Sequence, residues 1–243
     1  MNNKHAIHKQ LTTHNPLFTK SAFTLAETLI VMGIIGVVAA LTLPNLNSST
    51  GDKEKVAKVK KIYSNLNDAM GRAIAVYGPY NEWGSDSDGA VIAGRLSEFM
   101  KLSKNCGSLN YSQCLSTKGK TVFNLDDAYS SSNQGGTGLL LADGTGLLIT
   151  KSIFNPRRIY IDIDGPNAGS NMVSKDIFSF DIDSNTGEII PTGTASLASG
   201  VSSSYSACMT NGQAECTAWV IQNENLDYIK CASSLSDNKT SCK

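Results

Sequence analysis

The chain has 243 residues, with 21 Lys and Arg against 21 Asp and Glu, and 41% of it is hydrophobic. That length suits one or two compact units, and the balanced charge gives no polybasic signature, so electrostatic nucleic-acid binding is not indicated. All three histidines, His5, His8 and His14, lie before residue 23, so the remaining chain has no Ser-His-Asp or Cys-His mechanism and no His-ligated zinc or iron site.

Residues 1–22 hold Lys4, Lys9 and Lys20 and no acidic residue; without them, 18 basic residues face 21 acidic ones. A long apolar run follows, LAETLIVMGIIGVVAALTL, nineteen residues from Leu25 to Leu43 in which only Glu27 is charged. This is about the length an α-helix needs to cross a hydrocarbon core of roughly 30 Å. A charge inside it costs about 2.5–3.5 kcal/mol or more unless it is paired or reaches the headgroups. One reading of Glu27 is local: a carboxylate near a helix start is favoured by the helix dipole and snorkels outward. A second is ionic. If the chain were cut before Phe23, a new α-amine would lie four residues from Glu27, on one helical face. In an assembly of such helices, the Glu27 of an incoming chain would meet the amine of a neighbour and fix the register. An ordinary secretory signal competes with both, with Val38-Ala39-Ala40 as its cleavage site, but its apolar core should span only about 7–15 residues. A plain membrane anchor is the third possibility.

The stretch Lys20-Ser21-Ala22 followed by Phe23-Thr24-Leu25-Ala26-Glu27 resembles the N-terminus of type IV prepilins and type II secretion pseudopilins. The resemblance covers about 25 residues. It implies cleavage between Ala22 and Phe23 by a prepilin peptidase, N-methylation of Phe23, and a filament-assembly role for Glu27. It also implies a helix-loosening role for Pro44. Ala22 stands where the family prefers Gly, and the leader is long.

Beyond the apolar run, Pro44 and the polar residues 45–52 (NLNSSTGD) predict a kink or a local melting of the helix. An apolar stripe at helical period then resumes through Val56, Val59, Ile62, Tyr63, Leu66, Ala69, Met70, Ala73, Ile74 and Tyr77. It should pack on a following domain and end near Gly78-Pro79. Lys53, Lys55, Lys58, Lys60 and Lys61 crowd the start of this stripe. Counted against the three leader lysines, they slightly favour the reverse membrane orientation; the leader motif and the cysteines place the C-terminal part outside. Trp83–Gly89 reads as a loop and Val91–Leu102 as a short helix. Strands are predicted at Thr121–Leu125, Gly138–Leu141, Gly146–Thr150, Arg158–Ile163, Asp176–Ile182 and Glu188–Ile190. Asp143-Gly144 marks a hairpin and Asn185-Thr186-Gly187 a second turn. Residues 193–206 are rich in Gly and Ser, and Cys216-Thr-Ala-Trp-Val-Ile reads as a short helix or strand on the head.

Six cysteines, Cys106, Cys114, Cys208, Cys216, Cys231 and Cys242, all follow the apolar run, and none form CxxC. Their even number favours disulfides in an oxidising compartment. Fifteen pairings are open; the local set 106–114, 208–216 and 231–242 is the expectation, against reduced buried thiols. Asp162 and Asp164 alternate at a strand end and lead into Gly165-Pro166-Asn167, with Asp176 downstream. Oxygen ligands around a Gly turn suit Ca²⁺, and the resemblance points the same way, since major pseudopilins bind calcium in the loops of this sheet. The competing reading is a solvated turn, because the spacing is not that of an EF-hand. Asp181 and Asp183 also alternate, but no further motif supports acid–base chemistry.

These readings combine into an α+β chain with a pilin-like fold, in which a long N-terminal helix, transmembrane in its first half, packs on an antiparallel sheet head with disulfide-pinned loops. The expected divisions are a leader over 1–22, a transmembrane and assembly helix over 23–43 and its amphipathic continuation over 44–78. A periplasmic α+β head follows over 79–192, with a linker and Cys-rich region over 193–243. The expected function is a structural, non-enzymatic subunit of a bacterial inner-membrane-anchored pilus or pseudopilus. Its head would be periplasmic, and its partners a prepilin peptidase, a platform protein, an assembly ATPase and sibling pilins. A DNA-uptake or adhesion pilin is the alternative on the same scaffold, and a membrane-tethered enzyme the remote one.

Overall fold

The computed structural model describes residues 24–84, 89–115, 136–151, 157–195, 202–210 and 216–242; the side chains of 41–50 and 210 lie outside that description. Ala22, Phe23 and the expected strand at Thr121–Leu125 also lie outside it. The chain divides into two compact units, Met1–Asn47 and Ser48–Lys243.

One helix, α1 (Leu25–Tyr77), contributes to both units. It starts at a capping box. The Thr24 N–H and hydroxyl both donate to Glu27 Oε2, at 2.8 and 2.9 Å, and the Glu27 N–H donates back to Thr24 Oγ1 at 3.2 Å. It stops at Gly78, which adopts the left-handed conformation (φ +84°) and donates to the Ile74 carbonyl, with Pro79 next. Trp83 Nε1 then covers the Gly78 carbonyl at 2.8 Å. The backbone is helical throughout 44–52, so of the kink or local melting expected there, the melting does not occur. A proline removes one helical hydrogen bond, while each flanking residue adds its own, and propagation carries the helix through. Among the described residues, no helix is long and apolar enough to cross a membrane.

In the second unit, six strands among the described residues form one antiparallel sheet in chain order: β1 (Leu102–Gly107), β2 (Gly136–Leu141), β3 (Gly146–Thr150), β4 (Arg157–Asp162), β5 (Ile177–Ile182) and β6 (Ile189–Pro191). The architecture is therefore α+β with a six-stranded sheet. The β2–β3 hairpin pairs Leu139 with Leu147 and Leu140 with Gly146. Its turn needs the positive φ of Gly144 (+89°), as the Asp-Gly dipeptide predicts. Side chains alternate across the sheet. Leu139, Leu147, Ile149, Ile159, Ile161, Phe178 and Phe180 join one core with Val59, Ile62, Leu66, Ala69 and Ala73 of α1. Tyr63 stacks on Phe180 at 5.5 Å between ring centroids. Leu148 and Ile177 form a separate small cluster with Leu115.

One boundary differs from expectation. The helix predicted over Val91–Leu102 is the shorter α2 (Ala90–Ser97), and Leu102 opens β1 instead. Described parts of the Cys-rich C-terminal region pack on the head core. Its helices α3 (Ser204–Thr210), α4 (Thr217–Asn223) and α5 (Tyr228–Cys231) bury Cys208, Cys216, Trp219, Val220 and Tyr228 in that core. Thr217 Oγ1 accepts the Ser179 N–H at 3.0 Å, and the Ala218 N–H donates to the Thr192 carbonyl at 3.0 Å, which fixes α4 against the β5–β6 edge. All six cysteines are paired, 106–114, 208–216 and 231–242, as the local reading expects.

Candidate functional site

Two places merit a functional reading, one in each unit. In the first unit, residues 24–40 of α1 present apolar side chains on every side. Leu29, Ile30, Val31, Met32, Ile34, Ile35, Val37 and Val38 are all more than half exposed. A Cβ added at Gly33 or Gly36 would meet nothing within 4 Å. A soluble helix keeps a polar face; this one has none between Thr28 and Ala40. Glu27 is the one charge, and its carboxylate is held by Thr24 in the capping box. Of the other residues expected to act here, Ala22 and Phe23 lie outside the described residues, and so do the side chain of Pro44 and the end of the apolar run at 41–43.

In the second unit, the 163–176 loop joins β4 to β5, and the three carboxylates read as a calcium set lie in it and at its β4 end. Asp162 is buried, and its Oδ1 accepts the Gly165 N–H at 3.0 Å. Gly165 is required there, because a Cβ would sit 2.4 Å from the Gly144 carbonyl oxygen. Asp176 is fully buried and committed: Oδ1 takes the Lys55 ammonium from α1, and Oδ2 takes the Ser170 N–H (3.0 Å), the Ser170 hydroxyl and the Met172 N–H (3.3 Å). Asp164 Oδ1 is buried with no hydrogen-bond partner among the described residues. The structure therefore does not bring these three together as a ligand set, and among the described residues no three His, Cys, Asp or Glu side chains are placed to hold a metal ion.

The other candidate carboxylates are also occupied. Asp181 accepts Arg158 through two bonds, 2.7 and 3.2 Å, across the β4–β5 pair. Burial works against the Arg158 charge, but Asp181 outweighs it and raises the guanidinium above its ordinary value. Asp183 Oδ1 caps the Asn185-Thr186-Gly187 turn by accepting the Asn185 and Thr186 N–H groups and the Thr186 hydroxyl. The two aspartates are thus not an acid–base couple. An open cleft of about 530 Å³ beside α1 is lined by Lys61, Asp68, Phe99, Met100 and Asp143 among others. Lys61 is tied to Asp143 at 2.7 Å and Asp68 to Arg72 at 3.6 Å.

The lysine-rich start of the stripe also has a role that the orientation count missed. Lys55, Lys60 and Lys61 pair with Asp176, Glu224 and Asp143 of the head, Lys58 pairs with Glu54, and Asp52 takes Lys230. Lys55 was readable in principle. It falls in step with the stripe, in the series 55, 59, 62, 66, 69, 73, where a charge signals a buried partner.

These pairs set an acid limit. For Asp176 and Asp143, burial opposes the charge, but Lys55 and Ser170, and Lys61 and Thr145, outweigh it and hold both carboxyls below the ordinary value. Glu224 is lowered by Lys60 and Asp183 by its turn. A depressed carboxyl contributes stability above its unfolded value of about 4, and that contribution disappears as pH falls through the folded value. With no histidine after residue 22, the melting temperature of a chain beginning at Phe23 should stay flat from pH 8 to about pH 5 and drop below about pH 4. A step near pH 6–7 in a pH series of melting curves would contradict this assignment.

Comparison with protein-family models, with curated proteins and with solved structures gives no match.

Proposed function

We propose that this chain is a structural subunit of an inner-membrane-anchored filament of the type IV pilin or type II secretion pseudopilin class. The observation that carries the reading is the segment from Leu25 to Ala40, apolar on all sides and largely exposed in the single chain. Such a surface needs lipid or other helices. It overlaps the end of the leader-like sequence Ala22-Phe23-Thr24-Leu25-Ala26-Glu27. The disulfide-bonded head on the other side of Ser48 fits an oxidising compartment such as the periplasm.

In this reading a prepilin peptidase removes residues 1–22, Phe23 is methylated, and the helix waits in the inner membrane. A platform protein and an assembly ATPase then draw it into a filament core beside sibling subunits. Glu27 moves from its Thr24 cap to the α-amine of a neighbour during that step. The type IV pilin-like fold is part of the same proposal. The DNA-uptake alternative is less favoured, since Lys55, Lys60 and Lys61 of α1 are spent on carboxylates of the head.

The test is N-terminal peptide mass spectrometry on membranes from cells with and without the prepilin peptidase. A mature chain starting at methylated Phe23 only when the peptidase is present is the expected result. A chain that still starts at Met1 in both would overturn the pilin assignment and leave an anchored protein. A start near Leu41 would make it a secreted one.

A further inference from the structure

The 163–176 loop is built around negative charge, and its cation comes from the protein. Asp176 has no exposed side-chain surface, while Lys55 is one-quarter exposed and reaches it from α1. An isolated carboxylate at full burial is untenable without a counter-charge and donors. Asp176 has both: the ammonium on one oxygen, and Ser170 and Met172 on the other. These contacts close the loop on itself, and they hold two residues in left-handed conformations that side chains disfavour, Asn171 (φ +50°) and Ser174 (φ +61°). Ser174 is anchored from a third direction, because its carbonyl accepts the buried Tyr228 hydroxyl of α5. Two residues further on, Lys230 returns to Asp52 of α1. The loop is thus a junction of helix, sheet and C-terminal lobe.

A divalent ion in this loop would have to take Asp176 away from Lys55 and Asp162 away from Gly165. Asp164 Oδ1, by contrast, is buried with no hydrogen-bond partner among the described residues. We infer that the Lys55 ammonium is the resident cation of this loop, so that the head orders its β4–β5 connection from α1 and without calcium. The inference does not depend on the filament reading, since it concerns only the Ser48–Lys243 unit. Lys55 is a positioning residue here, acting through Asp176 on the loop backbone.

The experiment is hydrogen exchange with mass spectrometry on the full chain in detergent, with melting curves, in millimolar Ca²⁺ and in EDTA. The wild-type chain should show the same protection over 163–176 and the same Tm in both. Lys55→Met should speed exchange in that loop by about 100-fold, because it leaves a buried carboxylate unpaired. Adding Asp176→Asn to Lys55→Met should recover most of the protection. A role limited to packing of the lysine stem would leave the double variant no better than the single one. Calcium-dependent protection or a calcium-dependent Tm in the wild type overturns the inference, and so does a loop change under tenfold in Lys55→Met. If that variant does not fold, the wild-type comparison and the double variant decide.

Discussion

Full reduction of the disulfides is expected to leave the head unable to hold its fold. The three bridges close short loops, with sequence separations of 8, 8 and 11. On a chain-entropy basis each contributes roughly 2.5–3 kcal/mol. Together that is about 8 kcal/mol, comparable to the whole stability of an ordinary domain, about 5–15 kcal/mol. The bridges also differ in access. Cys208, Cys216 and Cys114 are fully buried and Cys106 nearly so, whereas Cys231–Cys242 lies toward the surface. A mild thiol reductant should therefore open 231–242 first, and the other two should open only as the head unfolds. Timed thiol trapping with mass spectrometry reads the order, and denaturant titration with and without reductant reads the loss. A fully reduced chain with an unchanged midpoint would refute the claim that these bridges hold the head.

The order of reduction follows from what each bridge covers. Cys106–Cys114 closes the segment that lays Tyr111 and Leu115 over Leu148 and Ile177, the small cluster on the far face of the sheet. Cys208–Cys216 joins α3 to the start of α4, next to the buried Trp219. Cys231–Cys242 ties the last residues back to α5, where the Cys242 N–H donates to Asp227 Oδ2 at 2.8 Å. Losing the first two exposes core, while losing the third frees an end.

The stripe from Val56 to Ala73 was legible because α1 has one face to bury and a period of 3.6 residues fixes which side chains are on it. Seven of its ten predicted positions are buried, Tyr63 and Ile74 are partly buried against the core, and Tyr77, at the end, is 36% exposed and bonds Glu98 instead. The strands from Gly136 to Pro191 were legible because short apolar runs alternate with Asp-Gly and Asn-Thr-Gly turns. β1 was not. Its sequence, LSKNCG, buries only Cys106, and two register shifts interrupt its pairing with β2. An edge strand of this kind has no apolar pattern to read, and its lysine and bulges are what keep such an edge from pairing with another chain. Cysteine spacing alone does not rank fifteen pairings, so it took the packing of α3, α4 and α5 on the head to decide for the local set.

The acidic residues teach a different lesson. Asp162, Asp164 and Asp176 are close in sequence and look alike, yet one caps a turn, one is left open and one anchors a helix lysine 121 residues away. Composition near a loop suggests a ligand set, but only long-range packing reveals whether the oxygens are free. The signal that went unread was in the helix: Lys55 is a charge in step with an apolar stripe, which points to a buried partner.

The exposed apolar segment leads to the other large effect. A chain beginning at Ser48 is expected to be monomeric in water and to keep the melting temperature of the head, whereas the chain from Phe23 should partition entirely into detergent. The eight large apolar side chains between Leu29 and Val38 are each 53–73% exposed. At about 1.5–3 kcal/mol for full burial of one such side chain, their removal from water amounts to on the order of 10 kcal/mol. That is ample to hold a helix in lipid or against other helices, and too much to leave in water. Among the described residues, the first buried one of the second unit is Val56, and its first cross-links to the head are Asp52 and Lys55. Detergent phase partition combined with melting curves of the two chains separates the roles. A truncated chain that follows detergent, or a full one that stays in the aqueous phase as a monomer, would remove the physical basis of the filament proposal. The expected split would mean that anchoring and assembly reside in the first unit, and that the head can be altered, Lys55 and the disulfides included, without changing where the protein is held.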